Sequence, residues 1–551
     1  MSLPGRWRTL SALAVVFTLL LHMRFLSMDT RLPADLGQYF VALPELYRAL
    51  FDGAPLGPAL SDTFTRPGGW WNLVLALWLG LTGKTSMAWQ LLDLSALGVL
   101  LALSGSVGDK VGRGPGRLAF TLLVAGNPMV LFGARATWVH LHEAVLLMAM
   151  LHLWLDDLRL ERPRSLWSLG LLGALAIGLR PSALPWLGTL GLGIAVGRDG
   201  QRPSIKRLAL LAGIWLLACV QLAPYLQRYL EAKAAARDRY EARVPQLSHQ
   251  AVTALGRMAF PLALGALGLS LPLGGPFAPR RVDGPRLVAY AWVLLPIGLT
   301  ISSKAGLDNF FPLALGLGWM AADIAGRWRW TVPIWAAPYL LMSLPQLLPP
   351  MPKDGPVGQF LGRNGIPMDS GPNSLYRPYR AFSAQETLEL IQASCPDPGQ
   401  PCDLVVDQGL FSAFGESSGA LPLFLATDQP LRLVELRSPE LPPDLQPAAL
   451  VHWRCGAEDP REQMWRQRWP HSLRALTEMG REHQLALAWK RELGDCELQW
   501  YTPQGLVMDP MLLPHPGPVE DRLKVAPGAG MQGVNQDGRP RPRPRVPGQQ
   551  R

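Results

Sequence analysis

The chain has 551 residues, of which 49% are hydrophobic and only 17% charged, and the charges cluster between long apolar runs. That pattern excludes an ordinary soluble protein and reads as an α-helical polytopic membrane protein. The net charge of +10 does not imply nucleic acid. Most Lys and Arg sit in short loops and in the tail, and no soluble surface interleaves them with aromatics.

Arg6 and Arg8 precede an apolar run, Leu10 to Ser27. With no small-x-small cleavage site and many spans to follow, it reads as a first transmembrane helix with a cytoplasmic N-terminus. His22 and Arg24 lie near its outer end, where long side chains reach the headgroups.

A polar first outer loop, 28–68, follows. From Leu36 its apolar residues recur as Tyr39, Phe40, Leu43, Leu46, Tyr47 and Leu50, the period of an amphipathic helix lying on the membrane surface. Asp29 and Asp35 stand at its start. Asp35 and Gln38 form a D-x-x-Q capping pattern. The same carboxylate, at the membrane–water boundary, could take a proton from an acceptor hydroxyl.

Gly69–Gly83 is apolar but shorter than the ~20 residues a span needs, whereas Ser86–Val107 is long enough. Further spans are expected at Leu118–Ala134, Glu143–Leu155, Leu166–Leu179, Ser182–Val196, Leu208–Pro224, Ala251–Leu273, Leu287–Ile301, Asn309–Ala325 and Trp330–Leu348. If Gly69–Gly83 only dips into the membrane, nearly every basic short loop falls on one side. These loops hold Lys110, Arg113 and Arg117, then Arg159 to Arg164, Arg198 to Arg207, Arg280 to Arg286, and Arg327 with Arg329. The positive-inside rule therefore selects about eleven crossings, with a half-inserted helix near Trp70. Tyr225–Gln250 strains the rule. It reads as a solvated helix with i,i+4 pairs or, less simply, as a basic arm over anionic headgroups.

The transmembrane domain is expected over 1–349, an extracytoplasmic soluble α/β domain over 350–514, and a disordered Pro- and Arg-rich tail over 515–551. Ala384–Ala393 looks helical; Asp403–Asp407 and Leu431–Leu436 look like strands. Cys219 lies in an apolar run. Cys395, Cys402, Cys455 and Cys496 all fall in the soluble region, which points to two disulfides in an oxidising compartment, with three pairings open.

No P-loop, H-E-x-x-H, G-x-S-x-G or dinucleotide fingerprint occurs. Chemistry is therefore sought among polar groups at the outer membrane face. Arg135, His140, His142 and Glu143 form one cluster, in which the two histidines do not share a helical face. Arg180 precedes Pro181, and Lys304 and Asp308 flank the entry to Asn309-Phe310-Phe311-Pro312. Cations at this depth can bind a lipid-linked phosphate.

The order of these features carries a resemblance. Asp35 and Tyr39 form a D-x-x-x-Y-like element. Arg66-Pro67-Gly68-Gly69-Trp70-Trp71, Asn127-Pro128, Gly178-Leu179-Arg180-Pro181 and Asn309-Phe310-Phe311-Pro312-Leu313 follow. Over roughly residues 10–325 this resembles the GT-C superfamily of integral-membrane glycosyltransferases, in its protein O-mannosyltransferase-like and lipid A aminoarabinose transferase-like branch. The resemblance implies inverting transfer of a sugar from a polyprenyl-phosphate donor to a lipid, glycan or protein acceptor on the outer face. It implies Asp35 as base with Asp29 in reserve, Arg135, Arg180 and Lys304 on the donor phosphate, and Tyr39, His140, His142 and Glu143 at the substrate. Leu36 departs from the acidic pair common in the family at that point. A divalent cation is the one cofactor considered, and one acidic loop does not define its site. A transporter or lipid flippase is the alternative, although no internal repeat is visible.

Overall fold

The structure is a computed structural model. It describes residues 3–23, 42–64, 68–127, 130–131, 134, 139–181, 183–198, 200–223, 227, 283–301, 310–343, 390–395, 402–406, 431–435, 445–455, 478–493 and 496–503. Asp29, Asp35, Tyr39, Arg135, Lys304, the loop Tyr225–Gln250 apart from Gln227, the expected span Ala251–Leu273 and the tail lie outside the described residues.

The first compact unit is helical. Its helices are α1 (Leu3–Met23), α2 (Leu43–Phe51), α3 (Leu56–Phe64), α4 (Gly69–Thr82), α5 (Ser86–Ala125), α6 (Val139–Asp156), α7 (Pro163–Leu179), α8 (Ala183–Val196), α9 (Ile205–Val220), α10 (Gly284–Ile301), α11 (Phe310–Arg327) and α12 (Val332–Ser343). Most lie on expected apolar runs; α1 begins seven residues before the expected Leu10, α5 covers the run Ser86–Val107 and the start of the next, and α3 was not expected. The described part of the surface helix begins at Leu43, with Pro44 in its first turn, where a missing N–H costs nothing. Leu43 and Leu46 are buried, the inward face that its periodicity predicts.

α5 is two antiparallel arms, 86–111 and 114–125. Thr85 caps the first by accepting from the N–H of Ala88 at 3.1 Å. The reversal falls at Gly112 (φ −125°, ψ 17°) and Arg113 (φ 53°, ψ −153°), inside the basic segment expected to be a loop. The left-handed φ falls on Arg113 and not on a glycine; Gly112 lets the reversal approach the Ala322 backbone, and Pro115 sits in the first turn of the second arm, where it is tolerated. Ser11 on α1 bonds Thr121 on the second arm at 2.9 Å.

Burial is inverted relative to a soluble helix. On α1, Leu10, Leu13, Val16, Leu20 and Met23 are exposed while Ser11, Thr18 and His22 are buried. The inward hydroxyls are satisfied: Thr18 Oγ1 donates to the Ala14 carbonyl at 2.7 Å and meets the Tyr339 hydroxyl at 3.1 Å. An apolar stripe facing outward needs hydrocarbon around it. Among the described residues one stretch, Met87–Ala125, is long and apolar enough to cross a membrane by length and composition, and the reversal at Gly112 and Arg113 divides it into the two arms.

The α6–α7 connection is held by Asp157, whose carboxylate accepts from the N–H groups of Glu161 at 2.9 Å and Arg162 at 2.8 Å. Burial pushes its pKa up, but these bonds, one from Ser165 and the Arg162 charge outweigh that and hold it below the usual carboxylate value. A carboxylate with a lowered folded-state pKa contributes stability above its unfolded pKa and loses it as pH falls through the folded one. Asp157→Ala is therefore expected to destabilise the protein by about 1.5 kcal/mol at neutral pH. Unfolding midpoints of the two proteins should converge in acid; a gap that persists at pH 2 would reject the charge-based account.

The second unit contains a five-stranded sheet of order β2-β1-β3-β5-β4. Its strands are β1 (Cys402–Val406), β2 (Leu431–Glu435), β3 (Pro447–Cys455), β4 (Leu485–Leu493) and β5 (Cys496–Pro503). β1 runs parallel to β2 and β3, whereas β3, β5 and β4 are antiparallel. A disulfide joins Cys395 to Cys402, tying the helical turn at 390–394 to β1. Trp500 on β5 donates to Ser394 Oγ at 2.8 Å.

The register places Cys455 opposite Cys496 on β3 and β5. Residues opposed on antiparallel strands have Cα atoms about 4.5–5.5 Å apart, inside the range a disulfide needs. Peptide mapping without reductant is expected to recover a Cys455–Cys496 cross-link; free thiols at both positions would refute it.

Candidate functional site

The helix ends of the first unit sort by charge. At one end, Arg8 pairs with Asp109 at 3.3 Å, Lys110 with Asp156 at 2.7 Å, and Arg286 with Asp323 at 3.6 Å. Arg207 donates to the Arg159 carbonyl at 3.2 Å, and Gly284 N–H bonds the Gly197 carbonyl at 2.6 Å. These contacts join the start of α1, the α5 reversal, the end of α6, the α6–α7 connection, the ends of α8 and α11, and the starts of α9 and α10.

The other ends of these helices carry a buried polar cluster. On the second turn of α6, Glu143 faces Arg180, which follows α7; the ion pair spans 3.5 Å, with side chains 4% and 8% exposed. Arg180 is held by its backbone. It caps α7, its N–H bonding the Ala176 carbonyl at 3.0 Å, and Pro181 follows. His142 Nε2 lies 2.9 Å from Asp93 Oδ1 on the first arm of α5. Trp71 of α4 packs on His142, ring centroids 4.0 Å apart. His140 instead stacks on Phe311 at the start of α11, at 6.1 Å. The two histidines thus serve different neighbours, as their spacing predicts.

α4 closes the cluster. Trp70 Nε1 donates to Gln221 Oε1 at 2.7 Å, and Gln221 Nε2 donates to the Ala174 carbonyl at 3.2 Å. Gly178 is needed beneath Trp70, since a Cβ there would run into the indole. Asn72 is wholly buried, and neither its amide nitrogen nor its oxygen has a hydrogen-bond partner among the described residues.

Of the residues proposed from sequence, Glu143, Arg180, His140 and His142 share this one end of the helical unit. The remaining candidates, Asp29, Asp35, Tyr39, Arg135 and Lys304, lie outside the described residues. Asp93, Asn72 and Trp71 were not assigned a role from sequence. Asp93 carried a signal: it is the one carboxylate within the apolar run Ser86–Val107, and an ionisable group inside a span marks function by default. Among the described residues, no three His, Cys, Asp or Glu side chains gather into a metal site.

This architecture is similar to that of ArnT from Cupriavidus metallidurans bound to undecaprenyl phosphate, with a TM-score of 0.51 over 92% of this chain and all of that one, at 14% identity. The likeness is one of fold. The Archaeoglobus fulgidus oligosaccharyltransferase, solved with Zn and sulfate, also matches, with a TM-score of 0.41 and 12% identity over 74% of this chain and 61% of that one. No family model matches the chain, and no curated protein matches it.

Proposed function

We propose that this protein is a membrane glycosyltransferase that moves a sugar from a polyprenyl-phosphate donor to an acceptor on the outer face of the membrane. The observation that carries the reading is the buried Arg180–Glu143 pair in a GT-C fold. Arg180 is a buried guanidinium in a low-dielectric setting, suited to a departing lipid phosphate. Arg135 and Lys304 would join it, and His140 and His142 would contact substrate. Asp35, with Asp29 in reserve, would take the acceptor's proton. The acceptor oxygen then attacks the anomeric carbon from the face opposite the phosphate, and the polyprenyl phosphate leaves with the bonding pair.

Sidedness follows from the same reading. The basic ends of the helices would be cytoplasmic by the positive-inside rule, which puts the polar cluster and the cysteine-bearing unit outside. A reporter fused after Pro350 should then be active only outside the cytoplasm. The central test supplies purified protein with a panel of polyprenyl-phosphate sugars and membrane lipids. Release of polyprenyl phosphate together with a glycosylated acceptor is the expected result. Movement of intact lipid across the bilayer without cleavage would favour the flippase alternative.

A further inference from the structure

We propose that Asp93 is a positioning residue: it holds the His142 imidazole so that Nδ1 is presented to a hydroxyl of the donor's sugar. The inference rests on the glycosyl-transfer reading. Asp93 lies two turns into the first arm of α5, with its side chain 1% exposed. Its Oδ1 meets His142 Nε2 at 2.9 Å, and its Oδ2 has no hydrogen-bond partner among the described residues. A buried carboxyl with so little support costs stability, and well-packed apolar side chains would join α5 to α6 at least as well. An ionisable group kept inside a span on such terms marks function.

His142 is held from two sides. Nε2 is tied to Asp93, and the Trp71 indole lies against the ring with centroids 4.0 Å apart. Turning the ring over would set a carbon against the carboxyl and lose the bond, so the imidazole has one orientation. Nδ1 is then the remaining polar atom of the ring. It makes no hydrogen bond among the described residues and, unlike Asp93 Oδ2, it is not sealed from solvent. A sugar hydroxyl both donates and accepts, so it suits Nδ1 in either tautomer. Position selects the sugar rather than the phosphate. His142 adjoins Glu143, whose carboxylate lies 3.5 Å from Arg180, and consecutive Cα atoms are only ~3.8 Å apart. A sugar joined to a phosphate at Arg180 comes within reach of His142.

Full-length protein in nanodiscs, labelled at its histidine nitrogens for NMR, tests this. The probes are undecaprenyl phosphate and its esters with a set of hexoses and pentoses. Loss of signals in His142→Gln assigns the His142 ring. An ester that binds wild type should shift the Nδ1 resonance, whereas undecaprenyl phosphate alone should leave it in place. The same ester should bind Asp93→Asn about fivefold more weakly, the contribution of one well-placed hydrogen bond. Undecaprenyl phosphate should bind wild type and Asp93→Asn equally. A purely structural clamp between α5 and α6 would weaken both ligands together, and that result overturns the inference. So does a Nδ1 resonance that ignores a bound ester, a measurement on wild type that stands even if Asp93→Asn does not fold. Binding of undecaprenyl phosphate with no ester bound overturns it as well. Wild type that binds none of these lipids rejects the glycosyl-transfer reading itself, and the inference with it.

Discussion

Arg180→Leu is expected to destabilise the helical unit by about 3–5 kcal/mol, because a buried carboxylate that loses its cation bears its desolvation cost uncompensated. Glu143→Leu should be similarly harmful. The double variant Arg180→Leu/Glu143→Leu should recover most of the loss, since two apolar side chains of comparable size replace a pair whose net contribution is small. Unfolding midpoints of the four proteins in one detergent make a complete cycle. The coupling should exceed ~2 kcal/mol; additive losses would mean that the 3.5 Å contact is not the interaction that matters. Activity separates from stability here. The stable double variant should remain inactive in sugar transfer, because the proposed phosphate ligand is gone. An active double variant would remove Arg180 from the mechanism.

The helices were legible because each is a nearly continuous apolar run, and the runs end at recognisable punctuation such as Gly112-Arg113-Gly114-Pro115 or Arg180-Pro181. The sheet was only partly legible. β1 and β2 are short apolar runs and were read as strands. β4, Leu-Ala-Leu-Ala-Trp-Lys-Arg-Glu-Leu, is rich in helix formers, and its strand state comes from pairing with β5. Propensity gives way there to tertiary context. In the site, Glu143 and Arg180 were each conspicuous as charges beside apolar runs, but nothing in the sequence joins them. Their pairing exists because α6 and α7 are antiparallel neighbours, so the start of one meets the end of the other. Asp93 was missed for a related reason. A carboxylate inside a span announces its importance without naming its partner, His142.

Gly112→Ala should be the most damaging single-methyl change among the described glycines of α5. A Cβ at Gly112 would run into the carbonyl oxygen of Ala322 on α11, with Gly326 also in contact. Both obstacles are backbone, so no rotamer change relieves them, and the α5 reversal would have to move away from α11. Overpacking of this kind costs about 1–3 kcal/mol where neighbours can shift, and the upper end is expected here. Gly213 on α9 is the control. A Cβ there meets nothing within 4 Å, and removing a helical glycine lowers the entropy of the unfolded chain. Gly213→Ala should therefore stabilise by about 0.5–1 kcal/mol. Both variants add one methyl group, so hydrophobicity changes in the same direction. Opposite shifts in the thermal midpoint isolate the close approach of α5 and α11. Shifts of the same sign would show that the packing at Gly112 yields easily, and that the reversal at Arg113 rests on the turn sequence rather than on its seat against α11.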